Sequence, residues 1–289
     1  KDGRNILTFT NQAVSSKELA NGFLKLSGCK NKIKIIHSTV QQVRVIPKGN
    51  HYVIEVIYNK ETPKYTDNGN YVGIDLGLNN LATVGGNVID SFIVNGRPLK
   101  SINQFYNKRL AKIKSRQDIC KNKKVNKTKI QTLANKRNNK IKDYLHKASR
   151  LLVNHLVSNG VSTIVIGHNK EWKQDINIGK SNNQKFVQIP FNQFIKMISY
   201  KAELEGMKVI QREESYTSKC SFIDGEDICK HEKYLGNRIK RGLFKTGTGH
   251  LINADLNGAL NILRKEIPNA FEKRYGIEAC STPVVLTTK

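Results

Sequence analysis

The first 65 residues alternate short apolar runs with polar stretches, a pattern that predicts strands. The runs at 33–36, 40–46 and 52–58 are rich in Val, Ile and Tyr, whose branched or flat side chains suit a pleated surface. Segment 63–69 carries Pro, Asp, Asn and Gly and has no apolar period, so it predicts a domain boundary. A β-rich domain over residues 1–65 is therefore expected.

Hydrophobic spacing after this boundary predicts a β-meander and then long helices. An apolar run at 71–75 ends in a carboxylate, and two further strands within 81–94 are expected on either side of a Gly85-Gly86 turn. Over 100–158, apolar residues recur at intervals of three and four, which is the spacing of helices that cover a core.

The remainder of the chain continues this mixture of strands and helices. We expect strands at 161–167 and 207–210, with a helix at 190–206 between them. A last helix is expected within 253–268, whereas 215–252 has no clear period. The order of elements predicts an α/β fold, a mixed sheet flanked by helices, with 215–252 as a small irregular insertion.

Composition limits the classes of function. The chain has 49 Lys and Arg against 23 Asp and Glu, a formal net charge of +26, so its field attracts polyanions such as nucleic acid. A hydrophobic fraction of 38% is enough for a packed core. No apolar run approaches the ~18 residues of a membrane span. Five scattered cysteines and no secretory leader favour a reduced, cytoplasmic protein.

Positive charge is concentrated in the predicted helical pair. Segment 100–150 contains seventeen Lys or Arg and only two acids, Asp118 and Asp143. Exposed helix faces usually mix the two signs because i,i+4 pairs gain ~0.2–0.5 kcal/mol each, so this excess predicts contacts with a phosphate backbone. The residues expected to make them are Lys108, Arg109, Lys112, Arg116, Lys136, Arg137 and Lys140.

Three acids stand where predicted strands or helices begin or end. Asp75 ends a buried strand, Glu214 follows another, and Asp255 opens the last helix. Carboxylates at the edge of a sheet can share a cleft, and clusters of them bind Mg²⁺ because hard cations prefer oxygen ligands. We therefore expect the three acids to bind two Mg²⁺ ions, which Mn²⁺ could replace. This is the arrangement of an RNase H-like nuclease.

Three motifs resemble one family in order and spacing. Gly-Ile-Asp-Leu-Gly at 73–77, Glu-Ser-Tyr-Thr-Ser-Lys-Cys at 214–220 and Asn-Ala-Asp-Leu-Asn-Gly-Ala-Leu-Asn-Ile at 253–262 resemble the RuvC core of the transposon-encoded TnpB (OrfB) proteins. These proteins are compact relatives of the type V CRISPR effectors. The resemblance covers roughly residues 30–266.

The resemblance implies an RNA-guided DNA endonuclease. Its expected partners are a guide RNA from the transposon end and a double-stranded DNA target, which one Mg²⁺-dependent RuvC site cuts by two-metal hydrolysis. Asp75 and Asp255 would be the first and third catalytic carboxylates. The implied domains are a partial N-terminal β-barrel or wedge-like nucleic-acid-binding domain (1–65), a RuvC domain (66–214) with the basic helical pair 100–158, a degenerate zinc-ribbon-like insertion that binds target nucleic acid (215–252), the final RuvC helix (253–268) and a tail (269–289).

The second acid departs from the family pattern. Gly167 stands where most members carry a glutamate, and a glycine has no side chain to bind a metal. The chain resembles a branch in which this acid precedes Ser-Tyr-Thr-Ser, which implies Glu214, with Glu213 and Glu171 as substitutes. Strand parity does not decide between Glu213 and Glu214, because two adjacent residues of the preceding strand are both apolar.

The zinc ribbon of many relatives is also incomplete. Cys220, Cys229, His231 and His250 are separated by eight, one and eighteen residues, whereas zinc ligands usually come in pairs two to four residues apart, so zinc is not expected. Segment 230–245 has six Lys or Arg, one acid and two aromatic residues, which suit either a nucleic-acid strand or a small core. The residues expected to contact nucleic acid here are Tyr216, Lys219, Arg238, Lys240 and Arg241.

Two other functions remain open. A nuclease-inactive, RNA-guided DNA-binding repressor is favoured by Gly167. An actin-fold sugar kinase could use 73–77 as a phosphate loop, but the second glycine-rich loop that it needs is not evident in the sequence.

Overall fold

The structure is a computed structural model that describes residues 4–36, 39–49, 51–120, 123–169, 187–272 and 282–288. Its contacts divide the chain into two units, each with an apolar core. The first comprises Lys1–Glu61 and Cys120–Asn135, and the second comprises Thr62–Ile119 and Lys136–Lys289.

Short antiparallel strands build the first unit. Its elements are β1 (Leu7–Thr10), α1 (Ser16–Ala20), β2 (Phe23–Leu24), β3 (Ile33–Lys34), β4 (Gln42–Lys48) and β5 (His51–Ile57). The three longer strands form a sheet in the order β1-β4-β5, while β2 pairs with β3. Val43 of β4 pairs with Val56 of β5 and is buried together with Leu24. Strands predicted within residues 33–58 are present in this unit as β3, β4 and β5.

A six-stranded mixed sheet forms the centre of the second unit. Its strands are β6 (Tyr71–Leu76), β7 (Asn80–Gly86), β8 (Phe92–Asn95), β9 (Thr163–Gly167), β10 (Lys208–Arg212) and β14 (Val284–Leu286), in the order β10-β9-β6-β7-β8-β14. The meander β6-β7-β8 is antiparallel, whereas β9 runs parallel to β6 and β10, and β14 runs parallel to β8.

Helices cover both faces of this sheet. They are α2 (Arg97–Cys120), α3 (Lys123–Ser158), α4 (Phe191–Glu203) and α5 (Ala254–Glu266). Val72 and Ile74 of β6 share a core with residues of α3 and α4, such as Leu152 and Phe194. Because side chains alternate along a strand, Gly73 faces the opposite side, where α5 packs on it. The predicted α/β fold with a mixed sheet is confirmed.

Gly85 and Gly86 lie within β7, so the turn predicted between them is wrong. The glycine at 85 has a packing role, since a Cβ there would lie 2.5 Å from Cδ1 of Leu256 and 2.9 Å from Cδ2 of Leu260. Both leucines belong to α5, which can therefore approach the sheet closely only where the strand has no side chain.

Segment 215–252 and the tail contain strands that the sequence did not predict. The expectation of an irregular insertion is wrong, because β11 (Asn237–Lys240), β12 (Leu243–Lys245) and β13 (Leu251–Asn253) form an antiparallel sheet. In the tail, β14 extends the main sheet. None of the described helices is both long enough and apolar enough to span a bilayer.

Candidate active site

Asp75 lies near the end of β6, on the face that α5 covers. Gly258 of α5 packs against it, and a Cβ at Gly258 would lie 3.0 Å from Asp75 Oδ2. Burial raises the pKa of Asp75 well above its usual value, the charges of Glu214 and Asp255 raise it further, and Arg238 lowers it. Asp75 is therefore close enough to Glu214 and to Asp255 for each of their charges to act on it.

Glu214 follows β10 and reaches the end of the neighbouring strand β9. Its backbone N–H donates to Oδ1 of Asn169 at 3.1 Å, and Nδ2 of Asn169 donates to Oε1 of Glu214 at 3.3 Å. A Cβ on Gly167 would lie 2.7 Å from Oε2 of Glu214. Its carboxylate thus fills the space that a side chain at position 167 would enter. Burial, followed by the charge of Glu213, raises the pKa of Glu214 to about 7.

Glu213 has different partners. Its carboxylate accepts hydrogen bonds from Lys265 Nζ at 2.8 Å and from the Ser215 hydroxyl at 2.6 Å. These bonds lower the pKa of Glu213 to about 2. Of the two adjacent acids, Glu214 is the one whose charge acts on Asp75, whereas Glu213 is held by Lys265. Glu171, the other substitute, lies outside the described residues.

Asp255 occupies the first turn of α5, which Asn253 caps. The Asn253 side chain accepts hydrogen bonds from the backbone N–H groups of Asp255 and Leu256 at 3.0 and 3.1 Å. Both carboxylate oxygens of Asp255 have partners: Oδ2 accepts from Asn80 Nδ2 at 2.8 Å, and Oδ1 pairs with Arg238 Nη2 at 2.9 Å. Arg238 thus supplies the positive charge nearest to Asp255.

The three carboxylates are chemically suited to bind a hard cation, but in this structure they do not lie close enough together to coordinate one ion. All three side chains offer carboxylate oxygens, the ligands that Mg²⁺ prefers, and two of them are destabilised as anions by burial. Within the described residues, however, no three Asp, Glu, His or Cys side chains stand close enough to hold an ion. Release of Arg238 from Asp255 would free one donor oxygen.

The residues of the degenerate zinc ribbon are spread over several local contacts. The buried Cys220 directs its Sγ to the backbone oxygen of Cys229 at 3.7 Å, and the Cys229 Sγ lies 3.4 Å from His231 Nε2. His250 Nδ1 lies 3.3 Å from the Thr248 hydroxyl. That zinc does not bind here stays a prediction.

Two carboxylates that sequence reasoning missed hold the insertion together. Asp224 accepts from the backbone N–H of Gly247 at 2.6 Å, and Glu226 accepts from those of Ser221 and Leu235 at 2.7 and 2.9 Å. These bonds join loops that are distant in sequence, as a metal would. The acids stand in Asp-Gly-Glu-Asp, a composition typical of turns, which gave no sign of this role.

Two asparagines of α5 attach the insertion to the sheet domain. Asn257 accepts from the backbone N–H of Phe222 and donates to the Cys220 carbonyl, both at 2.9 Å. Asn261 donates to the carbonyls of Thr217 and Cys220 at 2.9 and 2.7 Å. Both side chains are fully buried. Polar residues four apart on an apolar helix face were the sequence signal that could have revealed them.

The basic residues of α2 and α3 are mostly on the surface. Six of the seven predicted contacts are exposed, namely Lys108, Arg109, Lys112, Arg116, Lys136 and Lys140. Arg137 differs, because its guanidinium donates to the Asn103 side chain and to the Gln188 carbonyl, each at 2.8 Å. Arg137 therefore has a structural role, and its contact with nucleic acid stays a prediction.

Of the residues of the insertion that were predicted to contact nucleic acid, Arg238 touches one of the three acids. Arg238 pairs with Asp255, and Lys240 and Arg241 are exposed at the β11-β12 turn. Lys219 lies over the Tyr234 ring at 5.7 Å. Tyr216 is 37% exposed and, among the described residues, is the non-glycine residue with a positive φ, 65°.

Two family models match parts of the chain. The OrfB_IS605 model, a probable transposase, matches residues 51–173, and the Cas12f1-like TNB domain model matches 191–262. The chain is 28% identical over 239 residues to the TnpB-like protein ORF457 of Acidianus two-tailed virus, covering 80% of the chain and 48% of that protein. It is 29% identical over 229 residues to the endodeoxyribonuclease Cas12f2 of a Micrarchaeota archaeon, covering 75% and 41%.

Solved structures agree in fold. A CRISPR-Cas12f ternary complex matches with a TM-score of 0.54 at 18% identity, and a Cas12f1-sgRNA-target DNA complex matches with 0.59 at 17%. Each match covers 78% of the chain and 45% or 46% of the other chain. The chain thus spans about half the length of these proteins. With both family models and both curated relatives in agreement, the chain is a relative of the TnpB proteins and of the type V CRISPR effectors.

Proposed function

We propose that the chain is a RuvC-type, RNase H-like nuclease that uses a guide RNA from a transposon end to cut double-stranded DNA. The observation that carries this proposal is that the charges of Glu214 and Asp255, from two other elements, act on the buried Asp75 carboxylate, against which Gly258 of α5 packs. An acid that follows β10 fills the space beside Gly167 at the end of β9, so the sheet edge keeps an acid next to Asp75.

The chain's own groups would divide the work of this site. Asp75 and Glu214 provide carboxylates whose burial disfavours their negative charge, which a bound divalent cation would offset. Mg²⁺ bound here would activate water and stabilise the leaving oxygen of a phosphodiester. Arg238, which pairs with Asp255, would bind the phosphate of an entering strand, and the exposed cations of α2 and α3 would bind sugar-phosphate backbone.

Removal of single carboxylates tests the proposed cleavage. The full chain is expressed with transposon-end RNA, and the co-purified RNA is sequenced so that a matching DNA target can be made. Asp75→Ala, Glu214→Ala and Asp255→Ala should each lower the Mg²⁺-dependent cleavage rate at least ~10³-fold, since the cation would lose a ligand. Target binding should stay within a few-fold.

The matched control is Glu213→Gln, which removes the adjacent carboxylate held by Lys265. It should cut within an order of magnitude of the wild type. Cleavage that persists in Glu214→Ala and fails in Glu213→Gln would reverse the assignment. A target left intact by the wild type, with cognate RNA and Mg²⁺ present, would contradict nuclease function.

A second function, guided DNA binding without cleavage, is favoured by one observation. Both carboxylate oxygens of Asp255 are engaged by Asn80 and Arg238, and the described residues contain no ready three-ligand metal group. If the protein is a repressor, the wild type and Asp75→Ala should bind the matched target equally tightly, and neither should cut it. The cleavage assay above separates the two functions directly.

A further inference from the structure

Glu214 lies where the sheet no longer controls the direction of its side chain. The last residue of β10, Arg212, pairs with Gly167, and its carbonyl accepts from the His168 N–H at 2.9 Å. Two residues later the chain has left the ladder, and Glu214 is outside any strand. A flexible side chain with three rotatable bonds in this position needs another constraint to keep one orientation.

Asn169 supplies contacts of the required kind. It stands two residues beyond the end of β9 and accepts from the backbone N–H of Glu214 while it donates to the carboxylate of the same residue. One amide side chain thus fixes both the backbone and the carboxylate end of Glu214. The two bonds, at 3.1 and 3.3 Å, close a ring between the strand ends.

The other oxygen is held by shape. Oε2 of Glu214 lies where a Cβ of Gly167 would come within 2.7 Å, and Cδ1 of Ile262 borders the same space. Ile262 is fully buried on α5, so this wall does not yield easily. Asn169 on one oxygen and the Gly167–Ile262 notch on the other leave the carboxylate little freedom.

We propose that Asn169 is a positioning residue that holds the Glu214 carboxylate in the notch beside Gly167. This inference rests on the proposed function for its catalytic consequence, but not for its structural content. Partners of metal-binding side chains commonly change metal affinity or activity by about 10–100-fold when they are removed.

An isosteric substitution separates positioning from simple support of the fold. Asn169→Asp keeps an oxygen that can accept from the Glu214 N–H, but it has no N–H to donate to the carboxylate, and its own negative charge repels that carboxylate. We expect cleavage to fall about 10–100-fold, Mn²⁺ affinity measured by calorimetry to weaken, and the Tm to stay within about 3 °C. Asn169→Ala removes both bonds and should lower activity and Tm together.

Asn154→Asp is the matched control. It makes the same chemical change at an exposed position of α3 and should keep wild-type cleavage, Mn²⁺ affinity and Tm. If Asn169→Asp cuts and binds Mn²⁺ like the wild type, Asn169 does not position the acid.

A crystal structure of Asn169→Asp judges the inference independently of nuclease activity. We expect the Glu214 carboxylate to leave the notch beside Gly167. A carboxylate that stays there would overturn the proposal even if no form of the protein cuts DNA. A wild type that neither cuts nor binds Mn²⁺, with a displaced carboxylate in the variant, would instead refute the proposed function and keep the positioning role.

Discussion

Tyr216 adopts a backbone conformation that few side chains tolerate. Its φ is 65°, which costs a residue with a Cβ about 1–2 kcal/mol relative to the right-handed region. Backbone bonds hold it there, because its carbonyl accepts from the N–H groups of Lys219 and Cys220 at 3.0 and 3.1 Å. The ring remains 37% exposed, so burial offsets only part of the cost.

Tyr216→Gly should therefore be more stable than Tyr216→Ala. Relief of the strain exceeds the extra entropy of an unfolded glycine by about 0.5–1 kcal/mol, which urea denaturation would detect. Tyr216→Ala keeps the Cβ and should show no such gain, although both variants lose the ring. Equal stability of the Gly and Ala variants would contradict the strain argument. If the ring stacks on a base, both should bind a strand about 1–3 kcal/mol more weakly.

At this scale the sequence could locate the acids but could not choose among them. Glu213 and Glu214 are adjacent, and the strand before them is apolar at both parities. The choice depends on contacts with residues far away in the chain: Lys265 binds Glu213, and Asn169 binds Glu214. Such non-local partners leave no local pattern.

Among the elements, α4 packs on α3 around an unusual group, the buried ammonium of Lys201. Its Nζ donates to the His146 carbonyl at 2.7 Å and to the Ser149 hydroxyl at 2.6 Å. Burial lowers the pKa of Lys201 from 10.5 to about 8, and the charge of Arg150 contributes. Ionised Lys201 is thus less favourable in the folded protein than in the unfolded chain.

The sign of the resulting pH dependence follows from proton binding. Between pH 8 and 10.5 the unfolded chain binds more protons at this residue than the folded protein does, so its contribution to stability rises with pH. The free energy of unfolding of the wild type should therefore increase relative to Lys201→Met across this window. Urea titrations at several pH values measure the difference. Lys196→Met, at an exposed position of α4, should run parallel throughout.

Elements with strong periodicity were predictable, and very short ones were not. The strands β6 and β9 and the helix α5 follow from apolar runs and from the Asn253 cap. The four residues of β11 are all exposed and the strand is bulged, so its sequence lacks the alternation of buried and exposed residues that predicts a strand. β14 has three residues and depends on its parallel partner β8. Gly85 suggests a turn in the sequence, because the packing of α5 against it, which explains the glycine, is visible only in the structure.

For the whole molecule, the net charge of +26 dominates its long-range behaviour. Affinity for DNA should fall steeply as salt rises, because each phosphate contact releases counterions. Replacing Lys108, Arg109 and Lys112 by Gln should reduce the slope of log K against log salt by about 2–3. The same loss of charge at Lys64, Lys196 and Lys208, exposed elsewhere in the second unit, should change it less. Equal slopes in the two triple variants would contradict a local contact surface on α2.

The carboxylate of Glu214 lies where a side chain at position 167 would begin, so any residue other than glycine there would have to displace it. On the proposed assignment, an alignment column at 167 records a lost glutamate, although the Glu214 carboxylate reaches the same space from the segment after β10. Any series of single substitutions between the two arrangements passes through a chain in which this place is either overcrowded or empty. Whether such a chain can bind a metal should therefore be judged from the positions of its carboxylate oxygens in the folded structure, and not from the residue type in one alignment column.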